Sequence, residues 1–446
     1  MTPISLRSAL QSLPENALEA IVNRQFATKL LEALGFQAEE IYPEYPIRRM
    51  AVDIAARKNV GDDIFINTKK NPYLLVELKG RDVNLTEGSQ PYKNTVQQLK
   101  RYLLAPECHS AAWGIITNSC HIQLFRKHGK VVFPATPCHP INKDNIEDIT
   151  ATIREKIESP SRALTIALYN NKGGVGKTTT TVNLAGILTL LGKKILVIDF
   201  DPNQQDLTSA LGLPLSEDAL FTALINRDTE LKTAIRPYKF LFRSKKLETR
   251  FDVIPSDKRL VSEAENELKI HGYKPGNGLL HRKLKSLRNE YDYILIDAPP
   301  NWRLFSKLAV YAADVVLLPT KHNNLFSLEN AVTAIKDFIP EIQQEKSDGS
   351  PIALPIFFNG ERMTEPQKAA VEKVMESMIQ AAKRNDGFDL APYFFPKRRR
   401  AGEDTHVLCV PGHASISSSA FFRVPAVFRD KSALEYYKNL VKEYFL

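Results

Sequence analysis

Within the stretch Lys172-Gly173-Gly174-Val175-Gly176-Lys177-Thr178-Thr179 stand three glycines, two ammonium groups and two hydroxyls. That set suits the grip of a phosphate chain. Glycines let the backbone turn tightly and aim its N–H groups at an anion. Lys177 would reach the outer phosphates, and the Thr178 hydroxyl would ligate Mg²⁺. A second constellation lies upstream. Asp53 sits inside the apolar run 51–56, and Glu77 and Lys79 alternate at the end of the run 73–79. Side chains two apart on a strand share a face, so Glu77 and Lys79 point the same way. With Asp53 on a neighbouring strand, two carboxylates and an ammonium converge. Metal-assisted phosphodiester cleavage needs that set: hard oxygen ligands for Mg²⁺ and a cation to position the attacking water.

The elements that must hold these residues are legible around them. The β-branched, apolar run 164–169 reads as a buried strand, and 181–191 has helical periodicity closed by Gly192. A helix beginning at the loop adds a dipole favourable to anions. A further strand, 195–198, ends in Asp199-Phe200-Asp201-Pro202, and another, 293–296, ends in Asp297-Ala298-Pro299-Pro300. Carboxylates at the carboxyl ends of parallel strands sit beside bound phosphates. The runs 251–256, 315–320 and 354–359 read as additional strands.

The loop departs from the general phosphate-binding pattern, because Asn171 stands where that pattern has its first glycine. The form present, Lys-Gly-Gly-x-Gly-Lys-Thr, resembles the deviant Walker A loop of ParA/MinD ATPases. The resemblance covers about residues 163–446. It implies a P-loop NTPase fold with a mostly parallel sheet flanked by helices, and it implies ATP and Mg²⁺ as cofactors. It implies that Gly173, Gly174, Val175, Gly176, Lys177, Thr178 and Thr179 wrap the nucleotide and that Asn359 meets its adenine. Asp201 would align the attacking water, while Asp199 and Asp297 would support Mg²⁺ with Thr178. Lys172 would contact nucleotide held by the opposite subunit of an ATP-dependent homodimer. One departure stands out: Pro202-Asn203-Gln204-Gln205-Asp206 replaces the family's Pro-Gln-Gly-Asn and is one residue longer. The stretch through Asn301-Trp302-Arg303 resembles the family's switch region.

In the first third, helical spacing over 18–34 stops at Gly35, and 94–104 reads as a helix carrying Gln98 and Tyr102 on one face. Strands follow at 112–118 and 121–126. Asp53, Glu77-x-Lys79 and Gln98-x-x-x-Tyr102 in this order resemble PD-(D/E)xK nucleases. The fit is to the N-terminal domain of type I restriction enzyme motor subunits, over about residues 15–135. The resemblance implies a restriction-endonuclease-like α/β core and a metal-approaching glutamate on the first helix, Glu19 before Glu15.

Composition sets the frame. The chain has 446 residues, 43% hydrophobic and 25% charged, the balance of a soluble globular protein with two or three cores. No apolar run is long enough to span a bilayer, and the N-terminus lacks a signal-peptide core, so a cytoplasmic location and no membrane partner are expected. Four scattered cysteines are expected as free thiols. A net charge of +9 suits a polyanionic partner, here duplex DNA bound without sequence preference. Lys397-Arg398-Arg399-Arg400 beside Tyr393, Phe394 and Phe395 is a candidate grip on its phosphates. Ser415 to Ser419 reads as a flexible loop. The expected organisation is α/β in two domains: nuclease-like 1–137, linker 138–162 with one short helix, ATPase 163–446. Two functions stay open. One is a dimerising DNA-binding ATPase coupled to a Mg²⁺-dependent endonuclease, in defence against foreign DNA. The other is a partition or positioning ATPase whose N-terminal domain is a non-cutting adaptor for DNA or for a protein partner.

Overall fold

The computed structural model describes residues 5–242, 247–260, 278–346, 348–360, 363–397 and 406–446. The chain divides into two compact units, the first comprising Met1–Pro160 and the second chiefly Ser161–Lys346 and Ser350–Tyr444.

The first unit is built on a seven-stranded sheet of β1 (Ile41–Ile47), β2 (Met50–Ala56), β3 (Leu74–Leu78), β4 (Trp113–Thr117), β5 (His121–His128), β6 (Val131–Pro134) and β7 (His139–Pro140). Its order is β1-β2-β3-β4-β5-β6, with β7 on β5, and β3–β4 is the parallel pair. Period-2 alternation sorts the side chains to two faces. Ile54, Val76 and Leu78 pack with Phe26, Leu30 and Ile153, while Ala55 and Leu75 pack with Leu99, Tyr102 and Leu103. The helix Gln90–Leu103 begins four residues before the expected 94, because the Ser89 hydroxyl accepts from the Tyr92 amide and Pro91 suits the first turn. The segment expected as a linker belongs to this unit instead. His139–Pro140 joins the sheet, and the helix Ile146–Glu158 buries Ile146, Ile153 and Ile157 in the core. An amphipathic helix with so wide an apolar stripe needs a surface to cover.

The second unit carries β8 (Leu164–Leu168), β9 (Ile195–Asp199), β10 (Arg236–Phe242), β11 (Leu247–Ile254), β12 (Tyr293–Asp297), β13 (Val315–Leu317), β14 (Pro319–Thr320), β15 (Ile352–Ala353), β16 (Phe357–Gly360) and β17 (Cys409–Pro411). The main sheet runs β10-β11-β9-β12-β8-β13-β15, parallel except for β10 on β11. The run 315–320 divides between two sheets, since β14, β16 and β17 form a small separate sheet, while the run 354–359 supplies only β16 and follows β15. Pro319, which has no N–H to give, opens β14 where the run leaves the main sheet. The helix Lys177–Leu190 is buried along most of its length, with Leu184, Ala185 and Leu188 wholly inside. The stretch 415–419 is not a loop: short helices span Ala414–Ser417 and Ser419–Phe422, anchored by buried Ile416 and Ser419. Among the described residues no helix is long and apolar enough to cross a membrane. All four cysteines are free.

Candidate nucleotide and metal sites

The β8, β9 and β12 strands lie side by side, and Asp297 stands in register with both Asp199 and Leu168. Their carboxyl ends therefore bring the glycine loop and the acidic residues to one crevice. In the loop, Gly174 has φ 73° and Gly176 φ 88°, backbone that L side chains rarely adopt. A Cβ on Gly176 would also strike the Asn359 amide. Gly176 is the turn into the helix Lys177–Leu190, whose first-turn N–H groups have no intrahelical acceptor and face the crevice. Val175 is buried and pins the loop. The Lys177 ammonium, largely buried, donates to the Asn170 carbonyl at 3.2 Å and the Lys172 carbonyl at 3.3 Å. Burial pulls its pKa down, and the charges of Asp297, Asp201 and Asp206 oppose that pull.

Thr178 Oγ1 donates to Asp297 Oδ2 at 2.6 Å, and Thr181 Oγ1 reaches Oδ1 at 3.4 Å. Burial pushes the Asp297 carboxyl up to about 8. A carboxylate so costly to ionise, paired with a hydroxyl at a helix N-terminus, is a fitting neighbour for a divalent cation. Asp199 has another task. Its Oδ2 accepts from the Thr208 amide at 2.8 Å and hydroxyl at 2.6 Å, while Oδ1 faces the Asp201 amide at 3.4 Å. Wholly buried and pushed up to about 6 by that burial, it ties β9 to the next helix. Asp201 Oδ1 accepts from the amides of Asn203 and Gln204, so the lengthened loop folds back on it. Gln205 follows with φ 52°, and the helix Asp206–Ala210 begins.

Asn359, expected at an adenine, braces the loop. Its Nδ2 donates to the carbonyls of Val175 and Gly176 and to Thr180 Oγ1 at 3.1–3.3 Å. Thr179 starts the helix beside Thr178, its carbonyl accepting from Asn183. The Lys172 side chain is half-buried and makes no hydrogen bond or ion pair among the described residues, whereas Gly173 is exposed. Residues that sequence reasoning passed over also serve the crevice: Thr181 and Thr208 hold the acids, and Asp206 borders a cavity of about 350 Å³ together with Thr178 and Thr179. The signal for Asp206 was present as the departure from Pro-Gln-Gly-Asn. Of the basic run, Lys397 pairs with Glu443 at 2.9 Å, and Arg398, Arg399 and Arg400 lie outside the described residues.

In the first unit, the β2–β3 ladder ends at Ile54 opposite Val76, and the next residues out are Asp53 and Glu77. Asp53 Oδ2 accepts the Leu78 amide at 2.6 Å. Lys79 Nζ bonds Glu77 Oε1 at 2.5 Å and the Leu78 carbonyl at 2.7 Å, and Glu19 Oε2 approaches it at 3.6 Å. Glu19, not Glu15, reaches the cluster. Glu77 is 1% exposed, and its Oε2 has no hydrogen-bond partner among the described residues. Burial, then the nearby Asp53 charge, pushes Glu77 up to about 7, although Lys79 pulls the other way. Asp53 is raised chiefly by burial. Burial opposes the Lys79 charge, yet Glu77, Glu19 and Asp53 outweigh it and raise its pKa. An orphaned carboxylate oxygen beside a second carboxylate is chemically suited to a hard divalent cation. Gln98 Nε2 donates to Tyr102 Oη at 3.0 Å, on the helix that covers the sheet face of Ala55 and Leu75, the face that Asp53 and Glu77 share. Among the described residues no group of three or more His, Cys, Asp and Glu is placed to hold a metal, so Glu19 does not close over Asp53 and Glu77.

Comparison with known proteins agrees with this division. Residues 163–349 match an AAA domain, and residues 18–135 match the type I restriction enzyme R protein N terminus. The sporulation initiation inhibitor protein Soj of Bacillus subtilis is 35% identical over 158 residues, 35% of this chain and 57% of that protein. The chromosome-partitioning ATPase Soj of Treponema pallidum is 33% identical over 181 residues, 40% of this chain and 64% of that one. The maintenance of carboxysome distribution protein A of Synechococcus elongatus is 29% identical over 220 residues, 49% of this chain and 81% of that one. The aligned stretch thus spans less than two thirds of either Soj protein. The chain joins a domain like the N terminus of type I restriction enzyme R proteins to a ParA/MinD-like AAA domain.

Proposed function

We propose that the protein is an ATP-driven dimerisation switch coupled to a Mg²⁺-dependent DNA endonuclease, acting in defence against foreign DNA. The loop Gly173–Thr179 and Lys177 hold the triphosphate, Thr178 and Asp297 face the metal, and Asp201 orients the attacking water. Mg²⁺ there supplies charge neutralisation on the outer phosphates. Lys172, without a partner in its own chain among the described residues, reaches the nucleotide of a second copy and adds a cation where negative charge develops. In the first unit Asp53 and Glu77 hold a divalent cation, and Lys79 steers the water that attacks the phosphodiester. ATP-dependent pairing of two chains brings two such sites onto one duplex, bound through its phosphates without sequence preference.

One observation carries the nuclease half: the buried Glu77 Oε2 has no partner while Asp53 and Lys79 stand beside it. The test is supercoiled plasmid incubated with purified protein, Mg²⁺ and ATP. Nicking is expected, reduced about 100-fold or more in Asp53→Ala and in Lys79→Ala. Equal nicking by both variants sinks the site. Lys177→Ala in the same assay separates cutting gated by ATP from cutting that is independent of it.

A second reading is favoured by the lack, among the described residues, of any group of three metal-ligating side chains. The first unit then serves as a non-cutting adaptor, and the chain positions a cargo, as the names of the partitioning and carboxysome-distribution relatives suggest for those proteins. Duplex binding with the plasmid left supercoiled supports this reading. ATP turnover stimulated by a protein and indifferent to DNA points the adaptor at a protein partner.

A further inference from the structure

The acids around the phosphate loop differ in how far they are committed. Asp199 is spent on Thr208 and the Asp201 amide, Asp201 on the amides of Asn203 and Gln204, and Asp297 on Thr178 and Thr181. Asp206 is exposed, and its carboxylate makes no hydrogen bond among the described residues. Its place follows from the loop that precedes it. Asp201 collects the amides of the lengthened turn, and Gln205 takes a left-handed backbone with φ 52° while its side-chain amide donates to the Asp257 carbonyl at 3.1 Å. That turn delivers Asp206 to the rim of the cavity it shares with Thr178, Thr179 and Ser209. Its charge acts on Lys177, and its own pKa is raised by burial and by the Asp201 charge. A carboxylate with a free face therefore borders a cavity that Thr178 and Thr179 also line.

We infer that Asp206 is a positioning residue that sets the divalent-cation requirement of the nucleotide site, by accepting from a metal-bound water on the Thr178 side of the crevice. The inference rests on the nucleotide-binding reading above. Electrostatics gives it two consequences of opposite sign. Without a cation, Asp206 repels the triphosphate and competes with it for Lys177. With a divalent cation, the same charge adds to the field that holds the metal. Asp206 thus makes the site discriminate between metal-bound and metal-free nucleotide, which a merely structural residue would not do.

The experiment compares wild type, Asp206→Asn and Asp206→Glu in equilibrium titrations with a fluorescent ATP analogue, first in excess chelator and then against rising Mg²⁺. In Asp206→Asn the Mg²⁺ concentration for half-maximal binding should rise about tenfold. Metal-free analogue should bind that variant more tightly than wild type, and Asp206→Glu should restore most of the Mg²⁺ response. Melting temperatures without ligand should match, since the carboxylate holds no other residue in place. An unchanged Mg²⁺ midpoint in Asp206→Asn, or a parallel loss of affinity with and without metal, overturns the inference while leaving nucleotide binding intact. Failure of wild type to bind the analogue under either condition overturns the nucleotide reading itself.

Discussion

Asp53 and Glu77 share a buried setting in which the charge of Asp53 makes that of Glu77 costly. The sign of the resulting pH dependence can be worked out. Glu77 is raised from 4.5 to about 7, so between those values the folded chain holds a proton that the unfolded chain has released. This contribution to stability is full below the unfolded pKa and is lost as pH rises through about 7. A cation needs the ionised form, so its affinity should run the opposite way. Mg²⁺ should raise the melting temperature of the wild type little at pH 6 and clearly at pH 8, with the step near 7. Glu77→Gln should flatten that profile. A Mg²⁺ shift of equal size at both pH values would show that Glu77 does not take part.

At the scale of elements, the segment after β12 packs against the end of the strand that leads into the glycine loop. Trp302 lies parallel to Phe338 with ring centroids 4.4 Å apart, donates through Nε1 to Glu341 at 2.9 Å, and sits below the Lys307 ammonium. Tyr169, at the end of the phosphate-loop strand, meets Trp302 edge-on at 5.4 Å, and its hydroxyl donates to the Asn301 carbonyl at 3.3 Å. A change at the loop or at Asp297 therefore reaches the indole through two short covalent stretches. The chain has two tryptophans, Trp113 and Trp302, so Trp113→Phe leaves a single reporter in the second unit. Its emission should change on adding ATP with Mg²⁺ and stay unchanged in Trp113→Phe/Lys177→Ala. A spectrum insensitive to nucleotide in both would mean that this latch is fixed.

For the whole molecule, the decisive residue is one whose side chain finds nothing to bond in its own chain among the described residues. Lys172→Ala should still bind nucleotide, because Lys177, Thr178 and the glycines are untouched. It should fail to form the nucleotide-dependent dimer, measured by light scattering with a slowly hydrolysed ATP analogue. Dimerisation of Lys172→Ala equal to wild type would confine Lys172 to its own subunit's phosphates.

The sequence by itself determined the local parts. Glycine count and spacing, apolar runs ending in Asp, and the Asp53, Glu77 and Lys79 set are short-range facts, and the backbone preferences behind them act within a few residues. Length and charge likewise bounded the number of cores. Tertiary structure alone decided how side chains with several options spent them. Packing decided which neighbours Asp199 and Asn359 bond: Thr208 for one, and the carbonyls of Val175 and Gly176 for the other. The segment 138–162 looked like a linker because its partners, Phe26 and Leu30 among them, lie more than a hundred residues upstream. One apparent strand, 315–320, is split between two sheets with Pro319 at the break, since a missing N–H matters only once a neighbouring strand is there to receive it. Asp206 belongs to both accounts. Its identity was legible as an irregularity in the chain, and its meaning came from the turn at Gln205 that sets it beside Thr178.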